Sequence, residues 1–437
     1  MQKISVLFTN NTLDTRAGSE NYVRDVALAL LRRGHHPVAF SLVLGPTADD
    51  LRRATVPVVD DLARLSARPD VIHGHHHLET LMAALRFPDV PVVHFCHGWI
   101  PWEEIPLKHP SIRKYVAVDE VCLDRLIREE GVPTDRAELL LNFVDLERFR
   151  PRNGLPAKPR RALVFSNSAG SSGYTEAIAR ACAASGVSLD IAGLLNGNPT
   201  ESPEKVLAEY DLVFAKGRAA LEALAVGCAV ILSDTVGCGP LVVADNFDQL
   251  RLRNFGVREL QRPHDVVWYK QQIARYDLPT LARVHRRVRA EASLDTAVDR
   301  LLTIYTETMA VPVERCDPSQ VAGDYLRRIA PTLKRAGGLT THCYRLVQDL
   351  ETARAEVGTL RGQLQQKDEA LAETSHRLRA ASDRERFLEA QVTAFQALPT
   401  LRVRDGILRI PLVGRALRAG CRYLAGWIEP GVASRPL

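Results

Sequence analysis

No stretch of this 437-residue chain approaches the run of about 18 apolar residues that a membrane-crossing helix needs, so no such span is expected. Nor does a basic segment with a long apolar core precede "MQKISVLFTNNT", which leads straight into a strand-like run, so no secretory signal is expected. No two of the eight cysteines form a C-x-x-C pair, and Cys96, Cys182 and Cys228 sit in apolar surroundings. Free thiols in a reducing cytoplasm fit best. There is no P-loop, and no G-x-G-x-x-G follows a strand, which disfavours kinases and dehydrogenases. Charge of one sign is scarce too: the net charge is +5, which does not argue for a nucleic-acid partner.

What is present is an ordinary composition, 46% hydrophobic and 25% charged, long enough for two or three domains. Residues 1–150 alternate short β-branched runs with helical periodicity, the pattern of a parallel sheet covered by helices. "ISVLFTN", "HPVAFS", "PDVIHGH", "PVVHFCHG" and "KYVAVD" read as strands, and "NYVRDVALALLRRG" as a helix stopped by Gly34. Ligands collect at the C-terminal ends of such strands. The loop at 9–20, His73 to His77, and His94 to Trp99 should therefore share one crevice. Residues 151–161, "PRNGLPAKPRR", read as a linker. A second lobe of the same kind is expected at 162–276, with strands "ALVFS", "SLDIAG", "YDLVFAKG" and "CAVILSD", the last ending in a loop "TVGCGP". Helices at 277–312 close this part. The expected class is α/β, two doubly wound Rossmann-like lobes with a cleft between them.

Beyond a connector at 313–345 the pattern changes. Leu350, Val357, Leu364, Leu371 and Leu378 recur every seventh residue, with Leu346, Ala353 and Leu360 at companion positions, which predicts a coiled coil over 346–396 and a homo-oligomer built on it. Lys367 and Thr374 weaken the seam, and its phase is read as slipping before Leu388. A lone surface helix would leave the leucine row exposed along about 70 Å. The tail at 397–437 carries six arginines between 402 and 422 against Asp405, interleaved with Leu, Ile and Val. It suits an anionic membrane surface or a partner protein, or a helix folded back on the lobes.

The chemistry concentrates in "FAKGRAALEALAVG", 214–227. Glu222 stands among alanines and leucines, and a carboxylate there is costly to bury unless something pairs with it. Lys216 and Arg218 flank Gly217 at the start of the same helix, where the macrodipole is positive, so an anion between them would make sense of both. Pairing with carboxylates of the other lobe is the alternative. "HGHHH" at 73–77 invites a metal, but no Cys or carboxylate pair nearby completes a site, and no metal or organic cofactor is expected. In "WIPWEEIP", Trp99 and Trp102 could form an acceptor platform, since sugars stack on aromatic faces. Glu103 and Glu104 point apart in an extended segment and do not make a glycosidase pair.

In order along residues 1–312, these pieces resemble family 4 of the glycosyltransferases, which have the GT-B fold and use nucleotide-activated sugars. "RAGSENYVRDVALALLRRGHHPVAFS" is similar to the family's glycine loop, helix and RGH turn. "DVIHGHH", "VVHFCHGW", "LLLNFVDLERFRP" and "LEALAVGCAVILSD" resemble its further segments. The resemblance implies that Gly18 and Ser19 approach the donor diphosphate or acceptor, that His97 lies near the transferred sugar, and that Glu222 holds the ribose hydroxyls. It implies a retaining transfer from a nucleotide-sugar donor to a glycan or lipid-linked acceptor. Two positions depart from the pattern. Phe214 stands where the family has a sugar-contacting glutamate, and "SNSAGSSGY" replaces the basic pair that neutralises the diphosphate. Lys216, Gly217 and Arg218 offer a substitute. A catalytically degenerate lobe pair, serving as a scaffold for polysaccharide assembly, is the alternative reading.

Overall fold

The computed structural model describes residues 3–170, 173–198, 200, 202–314 and 316–396, with isolated positions 403, 409 and 415. Apart from those positions, the basic tail expected at 397–437 lies outside the described residues. The chain divides into two compact units, Met1–Arg328 and Ile329–Leu437.

The first unit holds two large sheets and a two-stranded pair of Thr12–Leu13 with Val43–Leu44. Seven strands form the first: β1 (Ser5–Thr9), β2 (His36–Phe40), β3 (Val58–Val59), β4 (Val71–His75), β5 (Val92–Cys96), β6 (Ile112–Ala117) and β7 (Ala137–Leu139), in the order β3-β2-β1-β4-β5-β6-β7. All pair in parallel. β4 and β5 are buried along their whole length, as strands covered on both faces must be, and they carry the histidines His73, His75 and His94 into that interior. The strand order reverses between β1 and β4, so the loops after these two strands open into one crevice. α1 (Gly18–Arg32) follows β1 and turns Val23, Val26, Ala27 and Leu30 to the core. It ends where Gly34, at φ +82°, takes a left-handed conformation open to few other residues.

The second sheet comprises β8 (Arg161–Phe165), β9 (Ser188–Ala192), β10 (Leu212–Ala215), β11 (Ala229–Asp234) and β12 (Gly237–Leu241), ordered β9-β8-β10-β11-β12. Its reversal lies between β8 and β10. α2 (Gly217–Val226) follows β10 and is stopped by Gly227 at φ +101°. The segment "TVGCGP", read from sequence as a loop, is in fact β12, which turns back antiparallel on β11 through Asp234 and Gly237. Glycine permits this: a Cβ at Gly237 would collide with the carbonyl oxygen of Leu260, and one at Gly239 would lie 2.5 Å from that of Glu259. The backbone is packed there rather than offered to a ligand.

The expected closing helices separate. The helix Leu278–Glu291 packs Val284 and Val288 into the core beneath α2, whereas α3 (Leu294–Met309) returns to the first lobe and buries Leu301, Ile304 and Tyr305 with Val26 and Leu30. α4 runs from Pro318 to Gln396, so helix occupies much of the segment read as a connector. Its leucine row is solvent-exposed, with Leu350 50% and Leu371 65% accessible. The heptad phase does not slip: Leu388 follows Leu360, and Val392 follows Leu364, by four sevens, with Ala381 and Glu385 at the intervening seam positions. Among the described residues no helix is long and apolar enough to cross a membrane.

Candidate functional site

A cavity of about 470 Å³ opens between the lobes where both strand reversals point. The glycine loop after β1 contributes Arg16 and Gly18, and α1 contributes Asn21. From the second lobe come Phe165 to Asn167 after β8, and Arg218 and Glu222 on α2, while Arg148 enters from the segment joining the lobes. Among the described residues an added Cβ at Gly18 would meet no atom within 4 Å, so this position faces open space at the cavity wall.

Glu222 is buried, and the carboxylate problem posed by the sequence has a partner within the chain. Arg218, one helical turn earlier, donates from Nε to Glu222 Oε1 at 2.8 Å. Its other end reaches across the cleft to Asp25 on α1. Burial opposes the charge on Arg218, but Asp25 and Glu222 raise its pKa above the usual arginine value. Burial would likewise raise Asp25, yet Arg218 and Arg24 keep it below the usual carboxylate range. Among the described residues no hydrogen bond reaches Glu222 Oε2, which leaves that oxygen as an acceptor at the cavity wall. The other two cavity arginines are also paired, Arg16 with Asp50 at 2.9 Å and Arg148 with Glu204 at 2.8 Å.

Several expected site residues lie elsewhere. Lys216 caps α2 but pairs with the buried Asp234, outside the cavity lining. Gly217 donates its N–H to Phe255 O at 3.0 Å and is likewise outside the lining. The anion that would justify these cations is thus the protein's own: Asp234 for Lys216, and Asp25 with Glu222 for Arg218. Ser19 turns inward, donating to Glu20 Oε2 at 3.1 Å. Phe214 is fully buried on β10 and packs edge-on against Tyr269, ring centroids 5.6 Å apart. Alternation along β10 sends Val213 and Ala215 toward α2 and Phe214 to the opposite face, so position 214 does not reach the cleft.

The first-lobe histidines gather behind α1. His97 stacks on His75, centroids 4.5 Å apart, and meets Tyr22 edge-on at 4.9 Å, while its buried Nε2 has no hydrogen-bond partner among the described residues. Burial pushes the His97 ring down to about 4, against the pull of Glu104, so it is neutral near pH 7. His97 does not line the cavity. Its loop is pinned by Glu104, whose Oε2 accepts the His97 N–H at 3.2 Å while Oε1 faces His76 Nε2 at 3.4 Å. Burial would raise Glu104, but the His76 bond and charge hold it down at about 2. His76 itself sits at φ +59°, a conformation costly for a side-chain-bearing residue and a mark of functional sites. Trp99 and Trp102 stand half-exposed on the same loop, Trp99 donating to Glu129 at 3.2 Å and Trp102 edge-on to His77 at 4.8 Å.

Sequence reasoning missed Asp25 and Arg148. The signal for Asp25 was the one that flagged Glu222: a carboxylate flanked by the buried Val23 and Val26 of an amphipathic helix. Arg148 gave no signal, because only the fold brings the inter-lobe segment to the cavity.

Residues 16–148 match the family model described as Glycosyltransferase Family 4. Among solved structures, a glycosyltransferase from Rickettsia africae aligns at a TM-score of 0.53 with 15% identity, over 71% of this chain and 99% of that one. Anabaena HepE in complex with UDP and glucose aligns at 0.50 with 13% identity, over 70% and 100%. No curated protein matches in sequence. The chain has the GT-B fold, followed by a long C-terminal helix.

Proposed function

We propose that this chain is a glycosyltransferase that moves a sugar from a nucleoside diphosphate donor to a glycan or lipid-linked acceptor with retention of configuration. The observation that carries the reading is the Glu222–Arg218 pair at the wall of the inter-lobe cavity, where the reversal points of both sheets meet. Glu222 accepts the ribose hydroxyls through Oε2, strong bonds because the acceptor is charged. Arg218, Arg148 and Arg16 face the diphosphate, in place of the basic pair absent from "SNSAGSSGY". That a protein of the same fold holds UDP and glucose supports a nucleotide-sugar donor.

Transfer of this kind needs positioning and stabilisation of the departing diphosphate more than a dedicated base, which the phosphate itself supplies. His97, neutral in the fold, serves as a hydrogen-bonding group toward the sugar rather than as a proton donor. Trp99 and Trp102 receive the acceptor. The exposed leucine row of α4 pairs with a second copy of itself, and the basic tail rests on an anionic membrane surface during cell-surface polysaccharide synthesis.

One specific observation favours a second reading, a non-catalytic scaffold for polysaccharide assembly. Phe214 belongs to the core, and each cavity arginine already has a carboxylate partner. Calorimetric titration of the full chain with a panel of nucleoside diphosphates and their sugars decides between them. Binding of at least one nucleotide sugar is expected, and binding of none would remove the transferase reading.

A further inference from the structure

Beyond the nucleotide pocket, the side chains around it form a chain of alternating charge. Glu222 Oε1 meets Arg218 Nε at 2.8 Å. Arg218 meets Asp25, and Asp25 Oδ1 meets Arg24 at 2.8 Å. Arg24 lies 3.9 Å from Asp50, which holds Arg16 at 2.9 Å. Both ends, Glu222 and Arg16, line the cavity. Arg53 also pairs with Asp50 at the outer margin, and the members next to the lobe boundary are buried: the Asp25, Arg24 and Arg218 side chains are 5%, 9% and 10% accessible. Arg24 and Asp25 belong to α1 in the first lobe, Arg218 and Glu222 to α2 in the second. The contact between Asp25 and Arg218 is therefore the point at which the chain crosses from lobe to lobe.

We propose that Asp25 is a positioning residue, an inter-lobe catch that holds Arg218 against Glu222 and thereby assembles the nucleotide pocket in the closed arrangement. Among the described residues Arg218 spends Nε on Glu222 and Nη2 on Asp25, with no hydrogen bond from Nη1. Fixed at two of its nitrogens, the guanidinium presents the third to the cavity it lines, in a geometry matched to a phosphate oxygen. Removing Asp25 leaves Arg218 a flexible arm tied to Glu222 alone, and leaves Arg24 without its nearest carboxylate. A buried charge deprived of its partner is strongly disfavoured, so the lobes part and the charge reaches water. The phosphate contact rests on the nucleotide-sugar reading, but the catch does not.

The test begins without ligand. Spin labels at Arg52→Cys in the first lobe and Lys205→Cys in the second, with Cys316, Cys343 and Cys421 changed to serine, report the inter-lobe distance in the full chain. One narrow distribution is expected for the parent, a longer and broader one for Asp25→Asn, and recovery with Asp25→Glu. Arg218→Lys, which keeps the charge but loses the fork, should broaden the distribution as Asn at 25 does, and serves if that variant fails to fold. An unchanged distribution in a folded Asp25→Asn or Arg218→Lys overturns the proposal. Titration with UDP and with uridine forms the second arm. Asp25→Asn should weaken UDP about tenfold, the loss of one charge-assisted contact, and leave uridine unaltered. Equal weakening of both would overturn the positioning role. If the parent binds neither, the donor reading falls, while the distance measurement still decides the catch.

Discussion

The first lobe's core histidines and the second lobe's cleft charges are buried in opposite ways. The first lobe hides neutral imidazoles, His73, His75, His94 and His97, among aromatic rings, with several ring nitrogens lacking partners among the described residues. In the second, charges near the cleft are kept and compensated pair by pair, as with Arg218 and Glu222 or Lys216 and Asp234. Neutral burial makes the first lobe's strand ends sensitive to acid. Compensated burial makes the second lobe's contribution to the cleft depend on which partner each cation holds.

The largest effect is expected from forcing the second lobe toward the family's pattern. Phe214→Glu would place an unpaired carboxylate against Tyr269 in the core and cost about 4 kcal/mol or more, read as a lower urea midpoint. A midpoint like the parent's would mean that position 214 does reach the cleft. Next comes Gly193, at the cavity edge, where a Cβ would strike the Ser166 carbonyl. Gly193→Ala should cost about 2 kcal/mol by displacing the loop after β8, measurable as a fall in Tm, and an unaltered Tm would show that this contact can relax.

Acid should separate the lobes. Folded His97 and His94 titrate at about 4 and 3, against about 6.5 in the unfolded chain, so below pH 6.5 the unfolded state binds protons first. Each ring then costs about 2 kcal/mol of stability at pH 5, with the loss continuing toward the folded values. His76 works the other way. Its raised value favours the fold fully below about pH 6.5, and that contribution fades as pH rises through the folded value, but one ring does not offset several. In the second lobe His264 is the histidine shifted downward. Pulse proteolysis at pH 5 should therefore cut first within residues 3–150, and simultaneous cleavage of both lobes would contradict this contrast. The smallest effect belongs to exposed pairs: Arg64→Ala, which frees Asp60 at 2.9 Å, should change stability by less than about 0.5 kcal/mol in the same urea measurement.

Most strands and α1 were legible because a parallel sheet imposes apolar runs that periodicity detects, as in "LVFA" and "AVILSD". β12 was not, since "GCGPL" carries turn residues and pairs only through tertiary contact. At the site, Glu222 stood out because a charge on an apolar helix breaks a local rule, and Gly18 through the resemblance of its loop to the family's glycine loop. Local sequence could not reveal that Lys216 and Arg218, two residues apart, diverge: one turns to β11 and the other crosses to α1. Distances across the chain decide that, and no pattern within a dozen residues encodes them. Phe214 was legible as a departure from the family, while its cause, the two-residue alternation of β10, emerged only with the sheet.

The central claim is that Glu222, not the cation at the start of its helix, holds the nucleotide at the inter-lobe cavity. Titration of UDP into Glu222→Gln and Lys216→Ala tests it directly. The account predicts that Glu222→Gln weakens UDP by about tenfold or more, and that Lys216→Ala, whose parent residue is engaged with Asp234 outside the cavity, binds as the unaltered chain does. Loss of binding in Lys216→Ala with Glu222→Gln unaffected would contradict it.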